Sequence, residues 1–251
     1  MSKGSLYTHV QSGIATVEFY HPASNSLPSE LLARLANAFN ELSNNTEAKV
    51  IILKSENEKA FCAGASFNEL LAIDNLKEGK LFFEGFANVI NAMRKCNKII
   101  IGSVQGKAVG GGVGLAAACD YCLATEAASI KLSELSIGIG PFVIEPAVTR
   151  KIGLAAFSEL TIEAIQWKTA YWAKEKGLYA HVYESIKELD FEVENLAIKL
   201  SKYNNEALFE LKKVLWEGTS HWNELLSKRA EISGKLVLSE ATKKALQTYK
   251  K

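Results

Sequence analysis

The chain lacks most of what would mark an extracellular, membrane-bound or nucleic-acid-binding protein. Its 251 residues include four cysteines, Cys62, Cys96, Cys119 and Cys122, too few for a disulfide scaffold at this length. A chain of this size buries roughly 70–75% of its unfolded surface and needs no disulfide or metal staple. Cys119-Asp-Tyr-Cys122 has C-x-x-C spacing, but neither a second pair nor a histidine cluster completes a zinc site. These cysteines read as small buried hydrophobes. Charge of one sign is also missing: 29 Lys and Arg against 28 Asp and Glu leave +1, so no global field would draw nucleic acid or acidic lipid. The most continuous apolar run, residues 108–119, is two-thirds Gly and Ala and closes at Asp120, well short of the ~20 residues of a membrane helix. The opening MSKGSLYTHVQSG has one lysine and no apolar run behind it, unlike a secretory signal. The expectation is a cytoplasmic protein with no membrane and no nucleic-acid partner.

What is present is an ordinary globular composition, 48% hydrophobic and 23% charged, which excludes disordered, collagenous and fibrous chains. Residues 7–20 alternate apolar and polar around Gly13, the pattern of a hairpin. A helix is expected over 28–42, with Pro28 in its first turn and Ser26 or Ser29 as cap. Val50-Ile-Ile-Leu53 and residues 98–104 are apolar runs typical of strands buried on both faces. Helical spacing covers 77–95, and small residues follow Gly110–Gly114 as a tightly packed helix. Short strands are expected over 121–124 and 129–132. Repeated strand–turn–helix units to about residue 183 predict an α/β fold. From 191 the pattern is helical, with segments near 191–203, 206–230 and 236–249. Their apolar positions, Leu208, Leu211, Val214, Leu215, Trp216 and Leu225, must pack on the core or on another subunit.

Three familiar chemistries fail on spacing. Gly102-Ser-Val-Gln-Gly106-Lys107-Ala108 is one residue short of a P-loop and has Ala where the magnesium-binding hydroxyl belongs. Gly110–Gly114 does not match the dinucleotide fingerprint. Gly64-Ala-Ser66-Phe-Asn68 ends in Asn where a serine elbow needs Gly. None of His9, His21, His181 and His221 lies in a motif that would make it a base.

Two glycine bends remain, each between a buried strand and a helix: Cys62-Ala63-Gly64-Ala65-Ser66-Phe67 and Val109-Gly110-Gly111-Gly112-Val113-Gly114. Glycine lets the chain take positive φ and lets a ligand approach the backbone. The helix start beyond it offers free N–H groups and a positive dipole end. Side by side, two such bends could aim two N–H donors at one oxygen, each donor worth ~3–4 kcal/mol of barrier in an oxyanion hole. The plainer alternative is that these glycines only permit close helix–sheet packing.

FCAGASFNEL resembles the F-x-A-G-A-D-[LI]-x-E segment of the crotonase (enoyl-CoA hydratase/isomerase) superfamily. VQGKAVGGGVGLAAACDYCLAT, SIKLSELSIGIGPF and Asn25-Ser-Leu27 are similar to further segments of that family, in order and at the right spacings. The resemblance implies a crotonase-like spiral of repeated ββα turns over 1–190. It also implies a helical region over 191–251 that forms a homo-trimer, often paired into a hexamer, and closes the CoA site. The implied partner is an acyl-CoA thioester, with coenzyme A part of the substrate and no separate cofactor or metal. Carried over by position, the N–H groups of Ala65 and Gly111 would hold the thioester oxygen. Cys62, Ala63, Gly64, Ser66, Phe67, Gly110, Gly112, Gly114, Pro141 and Phe142 would line the substrate and CoA site. The Lys243-Lys244 and Lys250-Lys251 pairs are either a solvated helix end or contacts to CoA phosphates.

Family hydratases carry two glutamates. The first follows the glycines, and that position here is Gly114; the second is present as Glu134. Ser66 also replaces the common Asp. Hydration divides its work between two carboxylates, whereas one carboxylate suffices to move a proton from C2 to C4 of a 3-enoyl thioester. Isomerisation by Glu134 is therefore favoured. The alternatives are a hydratase that recruits Glu145 as second acid or works inefficiently with one, and a crotonase-fold CoA-binding protein without catalysis. Glu145, followed by Pro146, otherwise reads as a solvated helix-start carboxylate.

Overall fold

In a computed structural model, described over residues 4–248, the alternation about Gly13 closes as a hairpin. Strands β1 (Ser5–Gln11) and β2 (Ile14–Tyr20) pair antiparallel, Gln11 opposite Ile14. Ser12 and Gly13 between them have φ of 52° and 83°, as a two-residue hairpin turn requires. Helix α1 (Ser29–Asn44) completes the first unit. The second is β3 (Val50–Ser55), β4 (Ala60–Cys62), α2 (Phe67–Ala72) and α3 (Leu76–Lys95); the third is β5 (Ile99–Val104), β6 (Lys107–Val109) and α4 (Gly111–Ala118). The fourth is β7 (Tyr121–Thr125), β8 (Ile130–Lys131), a 3-10 turn over Glu134–Ile137 and α5 (Glu145–Ile162). After α6 (Ala170–Glu175) and β9 (His181–Tyr183) come α7 (Ile186–Ser201), α8 (Asn205–Leu215), α9 (Trp222–Leu236) and α10 (Glu240–Thr248).

Units two to four each give one strand to each of two sheets, a six-stranded β1-β2-β3-β5-β7-β9 and a three-stranded β4-β6-β8. Beyond the hairpin every pairing between strands is parallel. Parallel neighbours need a long crossover, so the units wind as a spiral, the α/β architecture the sequence implies. The continuous apolar runs are explained by burial on two sides. Ile51, Leu53 and Ile100 pack with Leu35, Phe39 and Ile90 of α1 and α3, while Val50, Ile52, Ile99 and Ile101 pack with Leu189, Val193 and Leu208 of α7 and α8.

Several details correct the sequence reading. Neither Ser26 nor Ser29 caps α1; Glu69 of α2 reaches across instead, accepting the Ser29 N–H at 2.9 Å and its hydroxyl at 2.6 Å. The terminal helices begin at Ile186 rather than near 191, and the single helix expected over 206–230 is two, α8 and α9, parted at Gly218 (φ 78°). Leu208 and Trp216 pack inward, but Leu211, Val214 and Leu215 are exposed. All four cysteines are buried and unpaired; a side chain at Gly102 would collide with Cys122 Sγ, so the C-x-x-C pair is packing. Asp120 beside it accepts hydrogen bonds from the Ile100 N–H, Lys212 Nζ and Trp216 Nε1, each at 2.7 Å, pinning α8 to the large sheet. Among the described residues no helix is long and apolar enough to cross a membrane. Lys250-Lys251 lies outside the described residues.

Candidate active site

Both glycine bends leave the small sheet at one end. β4 runs into Ala63-Gly64-Ala65 ahead of α2, and β6 runs into Gly110 ahead of α4. Gly64 has φ +86° and Gly110 has φ +53°, ψ −118°, conformations that a side chain strains. A Cβ on Gly64 would stand 2.9 Å from Val109 O and 3.3 Å from Gly111 N, so the bends abut. Leu27, of the Asn25-Ser-Leu segment, holds the first bend by donating to Gly64 O (2.8 Å) and accepting from the Ser66 N–H (3.2 Å). Between those two bonds the Ala65 N–H meets no acceptor among the described residues, and the Gly111 N–H meets none either. The latter is one of the unsatisfied donors every helix start leaves.

Glu134 opens the 3-10 turn beside them. Ile139 N–H donates to its carbonyl at 3.1 Å, and Thr242 of α10 donates its hydroxyl to Gly138 O at 2.9 Å, so the turn is held from both ends. A Cβ on Gly110 would stand 2.8 Å from Glu134 Oε1; the glycine is what lets the carboxylate approach the bend. Glu134 Oε2 is buried without a hydrogen-bond partner. Burial pushes its carboxyl pKa from the usual 4.5 up to about 7, because removing water disfavours the charged form.

These groups share a cavity of about 310 Å³. Of the residues singled out in the sequence, Ala63, Gly64, Ala65, Phe67, Gly110, Gly111, Glu134, Pro141 and Phe142 line it. The others do not. Cys62 is fully buried and a Cβ on Gly112 would stand 2.8 Å from its own Cβ, so these two support the bends from behind. Ser66 spends its hydroxyl capping α2, accepting from the Glu69 N–H at 3.4 Å. Gly114 is buried under Ile144, with which any side chain there would collide. Glu145 begins α5 outside the cavity wall and is not the free carboxylate the sequence suggested: it accepts from Thr149 Oγ1 at 2.9 Å and pairs with Arg229 at 3.3 Å. None of the histidines lines the cavity.

The sequence reading missed Phe82, Phe83 and Phe86 of α3, Lys131 of β8, Ile144, and Ser233 of α9, all of which line the cavity. Their only local signal is membership of an apolar helix face or a strand, which does not distinguish a cavity wall from a core. Among the described lining residues Glu134 is the sole carboxylate. The arrangement therefore offers an apolar chamber, two unengaged amides at adjoining bends, and one carboxyl group that titrates near neutrality.

Two mostly parallel sheets wound as a spiral and followed by terminal helices match the crotonase fold. The chain is similar to the solved enoyl-CoA hydratase from Bacillus halodurans, with a TM-score of 0.89 over 97% of this chain and 99% of that chain at 24% identity. Residues 9–251 match the family described as enoyl-CoA hydratase/isomerase. Bacillus subtilis YngF, named for the same activities, is 33% identical over 186 residues, 72% of this chain and 70% of that protein. The short-chain-enoyl-CoA hydratase of Clostridium acetobutylicum is 29% identical over 213 residues, 80% of this chain and 81% of that protein. The chain belongs to the enoyl-CoA hydratase/isomerase family of acyl-CoA enzymes.

Proposed function

We propose that the protein shifts the double bond of a 3-enoyl-CoA to give the 2-enoyl-CoA, with Glu134 as the proton carrier. The thioester carbonyl sits on the Ala65 and Gly111 N–H groups, which strengthen their hold as the oxygen gains charge, an effect of ~3–4 kcal/mol for each such donor. Ionised Glu134 removes a proton from C2, electrons flow into the carbonyl to give a dienolate, and the resulting carboxylic acid returns the proton to C4. A carboxyl pKa of about 7 suits both halves, since a group matched to the working pH accepts and releases protons with similar ease.

The observation that carries this reading is the solitary carboxylate. Hydration needs a second acid–base group, and the position that supplies it in family hydratases is Gly114, closed over by Ile144. Glu145, the candidate substitute, is engaged by Arg229 and Thr149. The reading extends to assembly as a homo-trimer or hexamer, supported by large exposed side chains such as Leu154, Ile162, Ile165 and Val214. Exposed Lys243 and Lys244 of α10 would meet CoA phosphates.

The test is turnover by the purified protein. It should convert 3-hexenoyl-CoA to 2-hexenoyl-CoA, and Glu134→Gln should lose at least ~10²-fold, the low end for a removed general acid–base. Full activity in the variant would exclude Glu134 as the carrier. Rapid water addition to crotonyl-CoA would favour a hydratase, and thioester binding without any turnover would favour a non-catalytic CoA-binding protein.

A further inference from the structure

The cavity wall includes a polar residue that the isomerisation does not use. Ser233 of α9 lines it, is 1% exposed, and its Oγ has no hydrogen-bond partner. Serine inside a helix commonly turns its hydroxyl back to a carbonyl of the preceding turn; here it does not. Leu70, Phe82 and Ile139 of the lining pack in one cluster with Val237 of the following helical turn. An apolar surround of this kind gives a water too few polar partners to be held. An unpaired hydroxyl in such a place costs free energy, which a ligand atom bonded to it would relieve.

The position of Ser233 also measures the chamber. The next residue, Gly234, crosses Gly79 of α3 so closely that a Cβ on Gly79 would stand 2.9 Å from Gly234 Cα. On the same helix Phe86 lies against Gly111, where any side chain would collide with it. Gly79 and Phe86 are two turns apart, so along the axis of α3 Ser233 and the Gly111 amide are offset by on the order of 10 Å at 1.5 Å per residue, about the length of an extended eight-carbon chain.

We infer that Ser233 is a specificity-determining residue that recognises a neutral oxygen, a hydroxyl or oxo group, at the far end of a medium-chain acyl group. Lys131, the one cation among the described lining residues, has its Nζ 4.4 Å from the centroid of the Trp167 ring, so a carboxylate at Ser233 would lack a counter-charge of its own. This rests on the proposed acyl-CoA site and adds to it the class of acyl group.

Calorimetry with saturated thioesters tests the inference without relying on turnover. The wild type should bind ω-hydroxyoctanoyl-CoA or (ω−1)-hydroxyoctanoyl-CoA about tenfold more tightly than octanoyl-CoA, as one added neutral hydrogen bond provides. Ser233→Ala should abolish that preference while binding octanoyl-CoA at least as well as the wild type does. Equal wild-type affinity for the plain and both hydroxylated chains, or a preference that survives Ser233→Ala, overturns the role of Ser233. Tight butyryl-CoA binding with no binding of any eight-carbon thioester overturns the chain length yet leaves the proposed function standing. Failure to bind any thioester removes both.

Discussion

Glu134→Gln removes a charge that the fold disfavours, so it should stabilise the protein while stopping the reaction. The group has a carboxyl pKa of about 7 in the folded chain against 4.5 for the free side chain. Between those values the folded state holds a proton that the unfolded state has released, and stability falls as pH rises through that window. A rise from 4.5 to about 7 corresponds to about 3 kcal/mol once both states are ionised, near pH 8. At pH 5 only about 1 kcal/mol of that cost has developed, since the folded group is still protonated and the unfolded one just ionising. Glutamine is neutral throughout and escapes it. Urea unfolding of the two proteins at pH 5 and pH 8 should therefore show the variant gaining roughly 2–3 kcal/mol relative to wild type between the two buffers. Any constant offset from the amide's own packing cancels in that comparison. A difference between the proteins that is the same at both pH values would refute a buried, unpaired Glu134 carboxylate.

Two further substitutions probe what surrounds the site. Gly114→Glu should not create a hydratase: the new side chain meets Ile144, so assays should find no gain in water addition to crotonyl-CoA and a melting temperature several degrees lower, consistent with overpacking costs of ~1–3 kcal/mol. Lys212→Met leaves Asp120, whose side chain is 2% exposed, without its cation, and should cost about 3–5 kcal/mol in urea unfolding. The loss should be clearly smaller in an Asp120→Asn background, because the two residues act as a pair.

The sequence made the frame of this protein readable where local pattern and environment agree. Alternation about Gly13 gave the hairpin, since one face of β2 packs inward while the other looks outward. The unbroken Val50–Leu53 run marked a strand covered on both sides. The glycine bends and Glu134 were legible mainly through family resemblance, because spacing alone leaves close packing as an equal explanation. What escaped was settled by residues far apart in the chain. Lys212 sits next to Lys213 and reads as part of a solvated helix face, yet it is 3% exposed on Asp120. Glu69 caps a helix that begins forty residues earlier, where local serines looked sufficient. The parting of α8 from α9 rests on Gly218, a residue that a helical pattern can tolerate and here does not. Glu145 was ambiguous and Ile144 passed unnoticed for the same reason: their partners, Arg229 and Gly114, lie in other elements.

Transfer of an isotopic label tests the solitary carrier most directly. If one carboxyl group takes the hydrogen from C2 and gives it back at C4, then 3-enoyl-CoA deuterated at C2 and turned over in light water should yield 2-enoyl-CoA with deuterium at C4, measured by mass spectrometry after short reaction times. Product whose C4 hydrogen comes wholly from solvent, even in the first turnovers, would contradict a single Glu134 working in a water-excluding chamber.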